Sequence, residues 1–117
     1  PDGTEATKAK LIQPFGVDFA PSGTYIVEMA KGERLRKLDD KGNLVTLAGS
    51  EGVKGKDGDG GDGAKATFNG MHSLAVGPDG CVSLADTWNN RVRKYDPAAG
   101  TVTAFAAMRA WTAFTGA

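Results

Sequence analysis

The stretch Asp57-Gly58-Asp59-Gly60-Gly61-Asp62-Gly63 gathers three carboxylates on a flexible backbone, the raw material of a calcium site. Its spacing fails that chemistry. Gly61 stands at the third ligand position counted from Asp57, and Phe68 stands where an EF-hand has its closing bidentate glutamate. The match to a calcium-binding nonapeptide repeat is weak, and no Lys-Ser/Thr follows in register to make a phosphate cradle. The stretch therefore reads as a glycine-rich connection. His72 is the only histidine. A zinc ion needs three or four protein ligands, so His72 reads as a packed or solvated side chain. Cys81 is the only cysteine, which excludes an intrachain disulfide and a site with several thiolates. With no base identifiable near it, Cys81 reads as a small buried residue at a strand start, matched to Thr24. No metal or cofactor is expected.

Binding chemistry has better candidates. Arg91-Val92-Arg93-Lys94 alternates, so on a strand Val92 and Lys94 share one face and Arg91 and Arg93 the other. Arg34 and Arg91 are then either an anion-binding rim or braces for Asp and carbonyl groups between sheets. Recurrence of the pattern at Arg34-Leu35-Arg36-Lys37 favours bracing, because a single site needs it once. Asp86-Thr87-Trp88-Asn89-Asn90 is a turn in which the Asp86 carboxylate can accept backbone hydrogen bonds. Trp88, Asn89 and Asn90 are its candidate contact residues. Met29 holds the place of Asp86 in the first copy, which predicts that the role is confined to the second.

These residues recur because the chain repeats at a period of about 57 residues, the mark of a repeat architecture. Pro21-Ser22-Gly23 answers Pro78-Asp79-Gly80, and Arg34 to Asp39 answers Arg91 to Asp96. Each copy holds four short apolar stretches between turn residues: 15–20, 24–29, 33–38 and 43–48, then 72–77, 81–85, 91–96 and 101–106. Stretches such as Tyr25-Ile26-Val27 favour strands, and Pro, Asp and Gly between them favour tight turns. The expectation is an all-β fold of two four-stranded antiparallel meanders. Single helical turns are expected at 65–68, at its counterpart 8–11, or at 6–10. Residues 1–50 form the first unit with its leading segment. Residues 51–107 form the Gly/Asp-rich loop and the second unit. Residues 108–117, with Trp111 and Phe114, begin a further segment or form a contact tail.

Composition narrows the partners. Fourteen basic residues against 14 acidic ones leave no surplus to attract nucleic acid or an anionic membrane. No run approaches the ~20 apolar residues that span a bilayer. The opening Pro1-Asp2-Gly3 lacks an initiator methionine and an apolar leader, and reads as the start of an excised or processed piece.

Asp59 to Gly70, followed by Ser73-Leu74-Ala75-Val76-Gly77-Pro78-Asp79-Gly80 and Leu84 to Asp96, resembles the inter-blade segment and repeat core of NHL-repeat proteins. The first copy matches more loosely, with Ile26-Val27-Glu28-Met29 where the second has Ser83-Leu84-Ala85-Asp86. The resemblance implies a β-propeller of six blades, of which this chain holds two. It is then a fragment of a longer polypeptide, the favoured reading, or one of three copies closing a ring. The resemblance also places His72 near the central channel and leans towards an extracytoplasmic or cell-surface protein.

Three functions follow. The first is a scaffold that binds a protein, peptide or glycan through its loops and channel mouth, using Trp88, Asn89, Asn90, His72, Arg34 and Arg91. The second is a piece of a metal-dependent lyase or hydrolase whose catalytic residues lie on other blades. The third is a self-assembling fragment that binds nothing.

Overall fold

A computed structural model of the chain describes residues 4–29 and 31–107. The tail with Trp111 and Phe114 lies outside them. Among the described residues, ten strands make two antiparallel sheets. The first consists of β1 (Thr4–Glu5), β2 (Pro14–Ala20), β3 (Gly23–Glu28), β4 (Arg34–Asp39) and β5 (Asn43–Gly49), in the order β1-β5-β4-β3-β2. The second consists of β6 (Gly61–Asp62), β7 (Met71–Val76), β8 (Val82–Asp86), β9 (Arg91–Asp96) and β10 (Thr101–Ala107), in the order β6-β10-β9-β8-β7. Each is thus a four-stranded meander with a two-residue strand added at its outer edge. Two such sheets side by side are compatible with partial propeller blades. Among the described residues no helix is long and apolar enough to cross a membrane.

Local chemistry sets the hairpins. Asp39 Oδ1 accepts the N–H groups of Lys41 and Asn43, and Gly42 takes φ +83° to close the turn. Asp96 does the same in the second sheet, accepting from Ala98, with Gly100 at φ +71°. The helical turn falls at Gly63–Lys65, earlier than expected, because the Asp62 carboxylate caps the Ala64 N–H. Ala66 is already extended, which corrects the expectation of a turn over 65–68.

The sheets meet with β2 lying against β7. The close approach is at Gly16, where a Cβ would lie 3.0 Å from the Ser73 Cα and 3.2 Å from the His72 carbonyl oxygen. Asp18 crosses the junction and accepts the Val76 N–H at 2.8 Å. A single core fills the space between the sheets. Tyr25, Val27, Leu35 and Ala48 come from the first sheet, Met71, Val82, Leu84, Tyr95 and Val102 from the second, and Ala66 and Phe68 from the connection. Neither sheet could bury this apolar surface alone.

Strand register exposes a one-residue slip between the copies. Val17 pairs Ile26 in the first sheet, and its counterpart Leu74 pairs Leu84 in the second. The constant spacing therefore holds for β2/β7 and β4/β9 but gains one residue at β3/β8. The extra residue sits in the 77–81 hairpin and is recovered in the shorter connection before Arg91. Two expectations change. Glu28, paired with Pro14, stands where Asp86, paired with Met71, stands, so the buried carboxylate is shared by both sheets and Met29 is not its counterpart. Cys81 precedes β8 and is half-buried, not a buried residue at a strand start. Val82 holds the place of Thr24.

Candidate functional site

Antiparallel pairing places the start of β7, the end of β8 and the start of β9 together: Met71 faces Asp86, and Asp86 faces Arg91. The connections 29–33, 50–70 and 87–90 emerge at this same end, whereas the other end carries the tight hairpins. All six candidate residues (Arg34, His72, Trp88, Asn89, Asn90 and Arg91) lie at the end with the connections.

Beneath them sit two equivalent charge networks. In the first sheet the fully buried Glu28 carboxylate accepts from the Ile12 N–H at 2.7 Å, from Arg34 Nε at 2.5 Å and from Arg36 Nη1 at 3.3 Å. In the second, buried Asp86 accepts from the Asn69 N–H at 2.8 Å, from Asn89 Nδ2 at 2.8 Å and from Arg93 Nη1 at 3.4 Å. Ile12 and Asn69 are themselves counterparts in the repeat. Both arginines of β9 also grip the glycine-rich connection. Asp59 accepts from Arg91 Nη1 at 2.8 Å and from Arg93 Nε at 2.9 Å, one oxygen for each. Arg91 donates further to the Lys56 carbonyl, and Arg93 to the carbonyls of Thr67 and Asp57. The Arg93 guanidinium lies 4.7 Å over the Phe68 ring, a cation–π contact between two buried side chains. Arg34 reaches Glu51 as well as Glu28. The guanidiniums thus hold carboxylates and carbonyls of their own chain.

The remaining candidates differ in what they leave available. Trp88 is 61% exposed, and its ring rests on Gly70, where a Cβ would come within 2.8 Å of it. Gly70 has φ +67°, a second reason for glycine there. Asn89 is spent on the Gly55 carbonyl and Asp86. Asn90 closes the short 3₁₀ turn Thr87–Asn89 in the left-handed region, φ +56°. Glu33, its counterpart, has φ +55°, is fully buried, accepts the Gly70 N–H at 3.0 Å and pairs with Lys54. His72 contacts Phe15, ring centroids 5.0 Å apart, and its buried Nδ1 makes no hydrogen bond among the described residues.

Elsewhere, the Asp79 carboxyl is held below its ordinary range chiefly by the Cys81 N–H. Burial, and then the Asp79 charge, push the Cys81 thiol up, away from the thiolate a nucleophile needs. Among the described residues no group of three or more His, Cys, Asp or Glu side chains is placed to hold a metal ion.

Sequence reasoning passed over Glu28, Glu33, Arg36 and Arg93 as site-end residues. The alternation that puts Arg93 beside Arg91 was the available signal for the arginines. Glu28 was hidden by the register slip, and Glu33 by its pairing with an uncharged Asn90.

Comparison with known proteins adds a fold likeness. No protein-family model matches the chain, and no curated protein is a significant match. A solved structure from Bacteroides thetaiotaomicron, described as a structural genomics protein of unknown function, is similar at 32% identity with a TM-score of 0.70. The match covers 80% of this chain and 23% of that one, so this chain spans less than a quarter of its length.

Proposed function

We propose that the chain is part of an NHL-type propeller scaffold that binds a protein, peptide or glycan at the end carrying Trp88. The observation that supports this most is Trp88 itself: a large aromatic, 61% exposed, on a turn held by its own N–H to the Asn69 carbonyl and by the Asn89 side chain to the Gly55 carbonyl and Asp86. A rigid, exposed tryptophan is the side chain that recurs at binding hot spots, and its flat face also suits stacking on a sugar ring. Arg91 and Asn89 act in this reading as braces around the turn, Arg34 braces Glu28 and Glu51 at the same end of the first sheet, and Trp88 and Asn90 meet the ligand. His72 marks the inner edge of the same end. The units are the ranges 1–50 and 51–107, with 108–117 leading onward.

The test is a screen of the protein on peptide and glycan arrays, repeated with Trp88→Ala and Trp88→Phe. Trp88→Ala is expected to weaken any ligand found by about tenfold or more, some 1.4 kcal/mol, and Trp88→Phe to keep most of the affinity. Undiminished binding by Trp88→Ala contradicts the proposal, as does the absence of any ligand.

A further inference from the structure

The inner strand of each sheet has one large face and one small face. On β7, Leu74 and Val76 pack on the shared core. They meet a first sheet whose inner strand offers Gly16, Asp18 and Ala20. Their counterparts on β2 are Val17 and Phe19, 56% and 70% exposed, on the face turned away from the second sheet. On β7 the face turned away from the first sheet carries Ser73 and Ala75, small and exposed. The molecule therefore ends in a large-residue face on one side and a small-residue face on the other. Those are the two halves of the junction already made within the chain.

We propose that the Val17–Phe19 face of one copy docks on the Ser73–Ala75 face of a second copy, head to tail, repeating the internal junction. Residue types support this occupant. Ser73 and Ala75 take the places that Gly16 and Asp18 hold inside the chain, and the Ser73 Cβ, where Gly16 has none, requires the next copy's Gly16 backbone to sit a few tenths of an ångström further off than in the internal junction. The backbone is matched too, since Asn90 copies the φ of Glu33, and Gln13, at φ +48°, copies the positive φ of Gly70 that Glu33 meets. Phe105, 61% exposed on the small-residue side, stands where Leu47 packs against the core in the first sheet, and is covered by the contact. Phe15 and His72 then alternate along the inner edge. Such a heterologous contact leaves each copy with one free face until a ring closes.

Sedimentation of the 117-residue chain, at concentrations well above micromolar, tests this with two variants, Val17→Asp and Ala75→Arg. Both sites are exposed, so circular dichroism is expected to show an intact fold in each. The expected results are a closed oligomer of three or more copies for the unaltered chain, monomers for either variant alone, and a one-to-one heterodimer when the two are mixed. In that mixture each variant supplies the face the other has lost. A monomeric unaltered chain overturns the proposal. So does an oligomer that survives Ala75→Arg, because that is the mark of Val17–Phe19 faces pairing with each other.

Discussion

Arg91 and Arg93 stand two residues apart on β9 and share one carboxylate, but their losses have different consequences. The Arg93 side chain is completely buried and the Arg91 side chain is 19% exposed. Replacing Arg93 by Ala leaves the buried Asp86 carboxylate only the more distant Arg91 guanidinium, at 3.8 Å, removes the guanidinium from the Thr67 carbonyl, and leaves the Asp57 carbonyl only the Thr67 N–H. The expected cost is about 3–5 kcal/mol. Arg91→Ala leaves Arg93 in place to hold Asp59 and is expected to cost roughly 1 kcal/mol. Urea denaturation of the two variants measures the difference, and equal losses contradict the division of roles. That both arginines share a face was legible from their alternation. Their partner was not, because Asp59 lies 32 positions from Arg91 and belongs to a connection with no periodicity to place it.

At the scale of elements, strands and turns were legible because their signals are local: period-two alternation, Asp and Gly at turns, β-branched runs. The slip of one residue at β3/β8 was not. A hairpin one residue longer followed by a connection one residue shorter keeps the spacing of the flanking strands, so Arg34 and Arg91 stay aligned while Glu28 and Asp86 do not. Glu33 shows what this end of the sheets contributes to order. Glu33→Ala removes the acceptor of the buried Gly70 N–H and an ion pair with Lys54, with an expected loss of about 1–3 kcal/mol. The glycine-rich connection is equally specific at Gly58, where φ is +103° and a Cβ would lie 2.4 Å from the Ala66 Cα. Gly58→Ala is expected to cost well over 1 kcal/mol. A Gly60→Ala control has a positive φ but open space around it, and is expected to cost less. Thermal unfolding of the pair checks this order.

The whole molecule depends on the junction between the sheets, and one carboxylate reports on it. Asp18 reaches from β2 to the Val76 N–H on β7, and that bond, with a second from the Phe19 N–H, holds its carboxyl below the ordinary range. A lowered folded-state value means that this group adds stability above its unfolded value of about 3.9, and that the gain disappears as pH falls through the lower folded value. Asp18→Asn is therefore expected to flatten the acid limb of the stability profile below about pH 4 relative to the unaltered chain. The repeat in the sequence foretold two equivalent sheets. It could not foretell this bond, since the counterpart of Asp18 is Ala75. The most direct test of the side-by-side arrangement is an acid titration of the Val76 amide proton by NMR. Its resonance is expected to move with a midpoint below the ordinary carboxylate range and to stop moving in Asp18→Asn. A Val76 amide indifferent to acid, or one that titrates unchanged in the variant, contradicts the packing of β2 on β7.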